Sequence, residues 1–566
     1  MPAPSSSSPQ PGRAVPPPVA ARQPGPSWPA RDAGHLLVHG EQMAALETEL
    51  FDRGMPVEAL MEKAGLALSR RLLAQHGARL RSQGAVVLVG PGHNGGDGLV
   101  VARELHLAGI AVRVWCPFER CKPLTAAHRR YAAWLGIPIE AEPPDPAGTA
   151  LWLDALFGLN QNRPPGEALE ELLQARERGM PNALVAIDVP TGLCSDSGRC
   201  LGAVAARACR TLCLGLVKIG LIQDPALHWV GDLETVPLGL PAAVLEALPA
   251  GQPLGLRGDD LASAPWPRLP VAASKYERGR VLLVAGSGRY PGAAQLALQG
   301  ASATGCGSLR MAAPTVLAGA LTARAPHLVL DPPLGCDAAG ALLLAGLADL
   351  ELQRLDAVLV GPGLGRLDPG LGAPGAAAER RAWELLLQFP GLLVLDADGL
   401  NRLAEAGVGG PGASPEAWLR ARSGPTWLTP HGGEFGRLFP AWAMAPPPQA
   451  ACSAAVAAGV NLVLKGARSV VAGADGRCWQ LCEAEPSAAR GGLGDVLAGF
   501  AAGLGAMAMA STAEAGAELL ASACLAHAIT ARRVRRAGGP GSCTPMAVAT
   551  GLAGLEPLAS GEATPG

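Results

Sequence analysis

The chain has 566 residues, of which 49% are hydrophobic and 17% charged, with a formal net charge of −2. That length exceeds one ordinary core, so two or three domains are expected. Near-neutral charge and 4% aromatic residues leave neither a basic field nor a stacking surface, which argues against nucleic acid as a partner.

The opening stretch, residues 1–30, is rich in Pro and Ser, has no apolar signal-peptide segment and is expected to be a disordered tail. A helical apolar pattern follows from Glu41 to His76 and includes Val57, Leu60, Met61, Ala64, Leu66 and Leu68. Short apolar runs then alternate with helical stretches at Ala85–Val89, Ala111–Trp115, Ala150–Ala155, Ala183–Ile187, Thr211–Leu216 and Leu233–Val236. That alternation predicts a parallel sheet buried on both faces. The Pro- and Gly-rich residues 251–270 read as a linker.

A second series begins at Val281–Ala285 and continues through Leu328–Leu330, Ala357–Val360, Leu392–Leu395, Thr426–Leu428, Asn461–Leu464 and Ser469–Ala472. It closes in helices from Asp495 to Arg536, where the Ala/Gly-rich run Val496–Thr512 reads as a buried helix rather than a membrane span. The fold class is therefore α/β, with two doubly wound domains at 31–250 and 271–560. Thirteen cysteines stand singly with no recurring C-x-x-C, which fits reduced thiols and a cytoplasmic location. Only five of the 46 lysines and arginines are lysine (Lys63, Lys122, Lys218, Lys275 and Lys465). A chain that writes Arg for most surface cations keeps Lys where a compact ammonium matters, so each lysine points to a candidate site.

The first constellation starts where Ala85–Val89 runs into Gly90-Pro91-Gly92-His93-Asn94-Gly95-Gly96-Asp97-Gly98 and then a helix. A Gly-rich turn opening a helix offers N–H groups and a positive dipole end to an anion. Gly90, Gly92 and Gly95 satisfy G-x-G-x-x-G, but that match alone is weak. Asn94 and Asp97 are more specific, placing an amide and a carboxylate inside the turn. Asp154, in Asp154-Ala155-Leu156-Phe157-Gly158, and Asp188, in Asp188-Val189-Pro190-Thr191-Gly192, follow two later strands, and Lys218 follows a third. Open α/β sheets bind ligands at such strand ends.

The second constellation places Lys275 ahead of a strand entering Gly286-Ser287-Gly288-Arg289-Tyr290-Pro291-Gly292-Ala293. Gly361-Pro362-Gly363-Leu364-Gly365, Asp396-Ala397-Asp398-Gly399-Leu400-Asn401 and Thr429-Pro430-His431-Gly432-Gly433-Glu434 follow. Lys465-Gly466-Ala467-Arg468-Ser469 and Gly491-Gly492-Leu493-Gly494-Asp495 complete it. Successive amides at Gly491–Gly494 form a nest for charge developing on a transferring phosphoryl group, and Asp495 is placed to take a hydroxyl proton. Without a Walker lysine, these parts fit a kinase-type site outside the P-loop class.

Met61-Glu62-Lys63-Ala64-Gly65, the NGGDG turn, DALFG, AIDVPTGL and VKIGL resemble, in that order, the NAD(P)H-hydrate epimerase family, the YjeF N-terminal domain. The resemblance implies a Rossmann-like domain in which Asn94, Asp154 and Thr191 hold K⁺. It also implies that His93, Asn94, Gly95, Gly96, Asp97, Gly158 and Asp188 contact the hydrate. Epimerising C6 of a hydrated nicotinamide, by loss and return of hydroxide or by ring opening, needs a group that both gives and takes a proton near neutrality. Asp188, with Lys218 as its electrostatic partner, is the expected group.

The second half resembles the ribokinase-like superfamily and, within it, the ADP-dependent NAD(P)H-hydrate dehydratases. This implies that Ala293, Gly363, His431 and Asp495 contact the hydrate. Lys465, Gly466, Ala467, Arg468, Ser469 and Gly494 would hold the adenine nucleotide, with Mg²⁺ as cofactor and ADP as co-substrate. The implied partners are NADHX, NADPHX and ADP, with no membrane and a homo-oligomeric assembly expected. The alternative is a ribokinase-like kinase for a vitamin-precursor alcohol fused to a non-catalytic binding module.

Overall fold

The computed structural model describes residues 28–159, 161–268, 271–405, 414–512 and 514–555. Most of the expected tail, residues 1–27, lies outside them, as do the last residues, 556–560, of the second expected domain.

The first half forms a seven-stranded sheet, every neighbouring pair parallel. Its spatial order is Ile139–Glu140, Val112–Trp115, Ala85–Val89, Leu151–Ala155, Leu184–Ile187, Arg210–Leu214 and Asp232–Val236. Chain order reverses between Ala85–Val89 and Leu151–Ala155, which opens a crevice at the carboxyl ends of those two strands. Both strands are buried throughout because helices cover both faces. Val86 and Leu88 join one apolar cluster, while Ala85, Val87 and Val89 join the other.

The second half forms a ten-stranded sheet. Its order is Leu254–Leu256, Cys478–Leu481, Val470–Ala472, Asn461–Leu464, Thr426–Leu428, Leu392–Leu395, Ala357–Val360, Arg280–Val284, Ser308–Ala312 and Val329–Leu330. Only the two pairs flanking Val470–Ala472 are antiparallel. Here the reversal falls between Arg280–Val284 and Ala357–Val360, where the Gly286 N–H donates to the Pro362 carbonyl at 2.8 Å.

Three expectations change. The helical pattern from Glu41 to His76 is two helices, Gly40–Asp52 and Val57–Gln83. Gly54, at φ +99°, and Pro56 break it, since no L side chain takes that φ easily and Pro donates no N–H. The stretch read as a linker supplies the edge strand Leu254–Leu256, paired in parallel with Cys478–Leu481. Leu254, Leu256 and Leu261 are buried there, so three apolar residues outweigh the surrounding Pro and Gly. Trp28, inside the expected tail, is also buried, its indole N–H donating to the Asp260 carbonyl at 3.1 Å.

Leu493–Thr512 is, among the described residues, the helix long and apolar enough to cross a membrane, with mean hydropathy 1.5, yet 78% of that window is buried. It lies against Pro291–Ser302. A methyl group at Gly499 would fall 2.0 Å from the Ala297 carbonyl oxygen, and one at Gly300 would fall 2.1 Å from that of Val496. The small residues are there for close helix approach in a core, as the sequence reading expected.

The two halves meet through the N-terminal segment and the end of the first sheet. Leu37–Val38 pairs with Val217–Lys218, and Leu37 N–H donates to the Pro253 carbonyl at 3.0 Å. Leu37, Val217, Ile219, Ile222 and Cys482 form one apolar cluster at this junction.

Candidate active sites

In the first domain the helix His93–Leu107 starts directly on the Gly-rich turn. The first and third glycines of G-x-G-x-x-G serve packing of the turn itself. A methyl group at Gly90 would fall 1.5 Å from the Leu156 carbonyl oxygen, and one at Gly95 would fall 2.0 Å from that of Gly90. Gly98 similarly lets the helix lie against Ala155. Asn94 and Asp97 are thereby fixed at the mouth of the crevice.

Four expected residues converge there. The side-chain oxygen and nitrogen of Asn94 are both buried with no hydrogen-bond partner. Asp154, fully buried, accepts from the Thr191 hydroxyl at 2.7 Å and the Thr191 N–H at 2.8 Å. Burial, only partly offset by these Thr191 donors, pushes its pKa up to about 6. Gly158 faces both Asn94 and Asp188, since a methyl group on it would lie 3.1 Å from Asn94 Cγ and 3.1 Å from Asp188 Oδ2. An orphaned Asn94 amide and a buried Asp154 carboxylate that meets only neutral donors among the described residues offer the oxygens a hard monovalent cation fits.

Asp188 sits at the end of its strand with φ +67°, a conformation few non-glycine residues adopt, and carries its carboxylate into the same crevice. Lys218 Nζ lies 2.5 Å from Asp188 Oδ1 and donates also to the Leu214 carbonyl at 2.7 Å. Burial opposes the Lys218 charge, but the Asp188 carboxylate outweighs it and the pKa of Lys218 rises. Asp188 accepts further from the N–H groups of Leu214 at 3.2 Å and Leu159 at 3.1 Å. Its oxygens are thus committed to three donors, an arrangement suited to holding charge and orientation.

Asp97 and His93 open instead into a small neighbouring cleft of about 60 Å³ with Glu47, Phe51, Met61 and Leu214. Glu47 was not singled out in the sequence. It stands in the helix Gly40–Asp52, four residues after the buried Met43.

In the second domain the expected residues also come together. Gly363 has φ +64° and abuts Ala293, with 2.6 Å between a methyl group built on it and Ala293 Cβ. His431 caps the helix Gly432–Leu438, its Nδ1 accepting from the Gly433 N–H at 2.9 Å, and it bridges in parallel to Lys465. Lys465 Nζ is 2.8 Å from Asp396 Oδ1, and a methyl group at Gly494 would lie 3.3 Å from that same nitrogen. The Lys465 ammonium therefore spans from the strand end to the first turn of the helix Leu493–Thr512. Burial works against its charge, and Asp396 and Glu434 overcome it, so its pKa is raised.

Asp495 is half-buried in the first turn of that helix. Burial and the Asp396 carboxylate, opposed by Lys465, push its pKa up to about 7. Asp396, quoted in the sequence only as part of a strand-end motif, is thus the electrostatic hub, held by the Thr429 hydroxyl at 2.8 Å. Arg468 departs from its expected place. Its guanidinium is buried and turned away from the Lys465–Gly494 crevice, donating to the Leu221 carbonyl of the first domain at 3.1 Å. In that loop Ser469 faces Gly466, its hydroxyl 3.3 Å from the Gly466 N–H.

Two mostly parallel α/β domains, the first with its ionisable groups around the strand-order reversal and the second with them at the carboxyl ends of Leu392–Leu395, Thr426–Leu428 and Asn461–Leu464, define a two-site enzyme with a Rossmann-like first half and a ribokinase-like second half. Residues 57–220 match the family model described as YjeF-related protein N-terminus, and residues 281–549 match that described as NAD(P)H-hydrate dehydratase. A bifunctional NAD(P)H-hydrate repair enzyme of Gloeobacter violaceus is 44% identical over 82% of this chain and 87% of its own length. The corresponding enzyme of Synechocystis is 40% identical, over 83% and 85%. A solved ADP/ATP-dependent NAD(P)H-hydrate dehydratase of Bacillus subtilis is 24% identical with a TM-score of 0.42, over 53% of this chain and 95% of that one. The chain belongs to the bifunctional NAD(P)H-hydrate repair enzyme family, with an epimerase and a dehydratase domain. That membership sets aside the vitamin-precursor kinase joined to a binding module.

Proposed function

We propose that the first domain interconverts the R and S forms of hydrated NADH and NADPH, and that the second returns the S form to NAD(P)H at the expense of ADP, giving AMP and phosphate. The observation that carries the second half is Asp495, poised near neutrality beside Lys465 at the turn Gly491–Gly494. In that reading the hydrate rests against Ala293, Gly363 and His431. Lys465, Gly466, Ala467, Ser469 and Gly494 hold ADP, which enters as its Mg²⁺ complex. Asp495 takes the proton of the C6 hydroxyl as its oxygen attacks the β-phosphorus, and AMP leaves. Phosphate then departs from C6 with a proton from C5, restoring the ring double bond. Phosphate is a far better leaving group than hydroxide, which is the reason to spend a nucleotide.

In the first domain, His93 to Asp97 and Gly158 receive the hydrate, with the fixed Asp188–Lys218 pair facing the reacting ring. Asn94, Asp154 and Thr191 would hold K⁺, whose charge would favour an ionised Asp154 and draw the oxygens of the substrate into register. A cytoplasmic location is the corresponding proposal, supported by thirteen free cysteines. A homo-oligomer is supported by Tyr131 and Trp134, which stack on an exposed face of the helix Pro123–Trp134.

The test is recovery of the reduced-nicotinamide absorbance from a mixture of both hydrate epimers with ADP and Mg²⁺. Complete recovery is expected. Recovery of only the S half would remove the epimerase reading, and no recovery would remove the dehydratase reading.

A further inference from the structure

The helix Gly40–Asp52 buries Met43 and Leu46 on one face. Glu47, one turn beyond Met43, continues that face with a carboxylate where the stripe calls for an apolar residue. The Met43 side chain lies under Gly215, with its Cε 2.6 Å from a methyl group built there. Gly215 adjoins Leu214, whose N–H reaches Asp188 and whose carbonyl accepts from Lys218. The helix is thus docked on the backbone that frames the Asp188–Lys218 pair, and Glu47 emerges beside it in the cleft shared with His93 and Asp97.

Three carboxylates stand in this region, Asp188 in the crevice and Glu47 and Asp97 in the cleft beside it, and they differ in their partners. Asp188 has three donors. Among the described residues, neither Glu47 nor Asp97 has any hydrogen-bond donor. Burial raises the Glu47 pKa against the pull of Lys218, and burial with the charges of Asp188 and Glu47 raises that of Asp97 well above the usual range. A carboxyl group without donors, in a half-enclosed cleft, holds its proton more tightly than a solvated one and can both give and take it.

We propose that Glu47 is the catalytic acid and base of epimerisation, facing C6 of the hydrated ring from the cleft it shares with Asp97, while Asp188 and Lys218 fix the ring and its charge. The proposal rests on the epimerase reading of the first domain. As the C6–O bond breaks, the Glu47 carboxyl gives its proton to the departing hydroxyl, which leaves as water, and the N1 lone pair forms the C6=N1 iminium. Water then adds to the opposite face of C6, its electron pair closing the new C6–O bond and returning the C6=N1 π pair to N1. Its extra proton returns to Glu47. Atoms, charge and electrons balance over the cycle, with no other reactant. Asp97 lines the same cleft, and the Glu47 charge helps to raise its pKa.

The test uses the full chain without ADP, so that only the first domain acts, and follows exchange between purified R and S hydrate epimers by chromatography. Glu47→Gln, equal in size to Glu, is expected to lower the exchange kcat by roughly 10²-fold or more with little change in KM. Glu47→Asp should recover part of the rate, which a role limited to packing would not require. ADP-dependent dehydration of the S epimer should be unchanged in both variants, reporting an intact second domain. Exchange by the Gln variant within about threefold of the parent, or equal loss in the Gln and Asp variants, would overturn the proposal. A parent chain that failed to exchange the epimers above the uncatalysed rate would remove the epimerase reading itself, and the proposal with it.

Discussion

The Arg468 guanidinium, in the loop assigned to the nucleotide, donates to the Leu221 carbonyl across the domain junction at 3.1 Å. Leu221 lies in the 3₁₀ turn Ile219–Ile222 that begins directly after Lys218. Gln223 follows, its side chain 3.0 Å from that of Gln480, and an Asp224 oxygen would stand 3.4 Å from a methyl group on Gly466. One short stretch of the first domain therefore runs from the Asp188–Lys218 pair to the floor of the second domain's loop. Arg468→Met removes a buried charged donor, a contact of the kind worth about 1.5–3 kcal/mol. With the loop untied, ADP affinity should fall roughly tenfold while dehydration at saturating ADP changes by less than about threefold. Calorimetric titration with ADP, beside kcat from the absorbance assay, separates the two. Equal affinity in both proteins would show that the loop holds its shape without the tie.

Asp495 offers the cleanest division of labour. Asp495→Asn keeps the size of the side chain and removes the base, so dehydration should fall by roughly 10²–10⁴-fold. Epimer exchange in the same protein should continue at the parent rate, because the two sites use separate crevices. Loss of both activities would contradict that separation.

The pH dependence of dehydration follows from the same residue. A base must be ionised, and burial with Asp396 pushes Asp495 up to about 7. Below that value kcat/KM should fall about tenfold per pH unit, and above it the profile should flatten. Lys465 lowers the Asp495 pKa, so Lys465→Met should move the inflection to higher pH as well as weaken nucleotide binding. An inflection near 4 in the parent would mean that the carboxylate is solvated in the free enzyme.

Much of this was legible in the sequence. Strands such as Ala85–Val89, Ala357–Val360 and Leu392–Leu395 begin and end where their apolar runs do, because a parallel strand buried on both faces leaves no room for polar punctuation. Ser308–Ala312 escaped because Arg310 interrupts it, its charge paired with Asp331 at the sheet margin. Lysine scarcity proved informative at Lys218 and Lys465, each of which pairs with a carboxylate at a strand end. What sequence could not supply was side-chain direction. Arg468 sits in the right motif yet faces the other domain, and Glu47 reads as one more surface carboxylate until the helix is docked.

Asp154 carries the last prediction. Without a bound cation its folded pKa, about 6, lies above the ordinary carboxylate value of 3.8. A raised folded pKa means the folded chain binds the proton more tightly than the unfolded one. That contribution to stability is present at low pH and declines as pH rises from near 4 through 6, leaving a buried anion above it. K⁺ held by Asn94, Asp154 and Thr191 would neutralise that anion and recover the loss, so its effect should be large at pH 8 and small at pH 5. At a K⁺ concentration 100 times its Kd the gain would be about 2.7 kcal/mol. Replacing K⁺ by tetramethylammonium at pH 8 should therefore lower the Tm of the first domain by several degrees in scanning calorimetry, and Asn94→Ala should abolish the response. The same exchange at pH 5 should shift the Tm little, because the proton already does what the cation would. A K⁺ response equal at both pH values would place the cation away from Asp154.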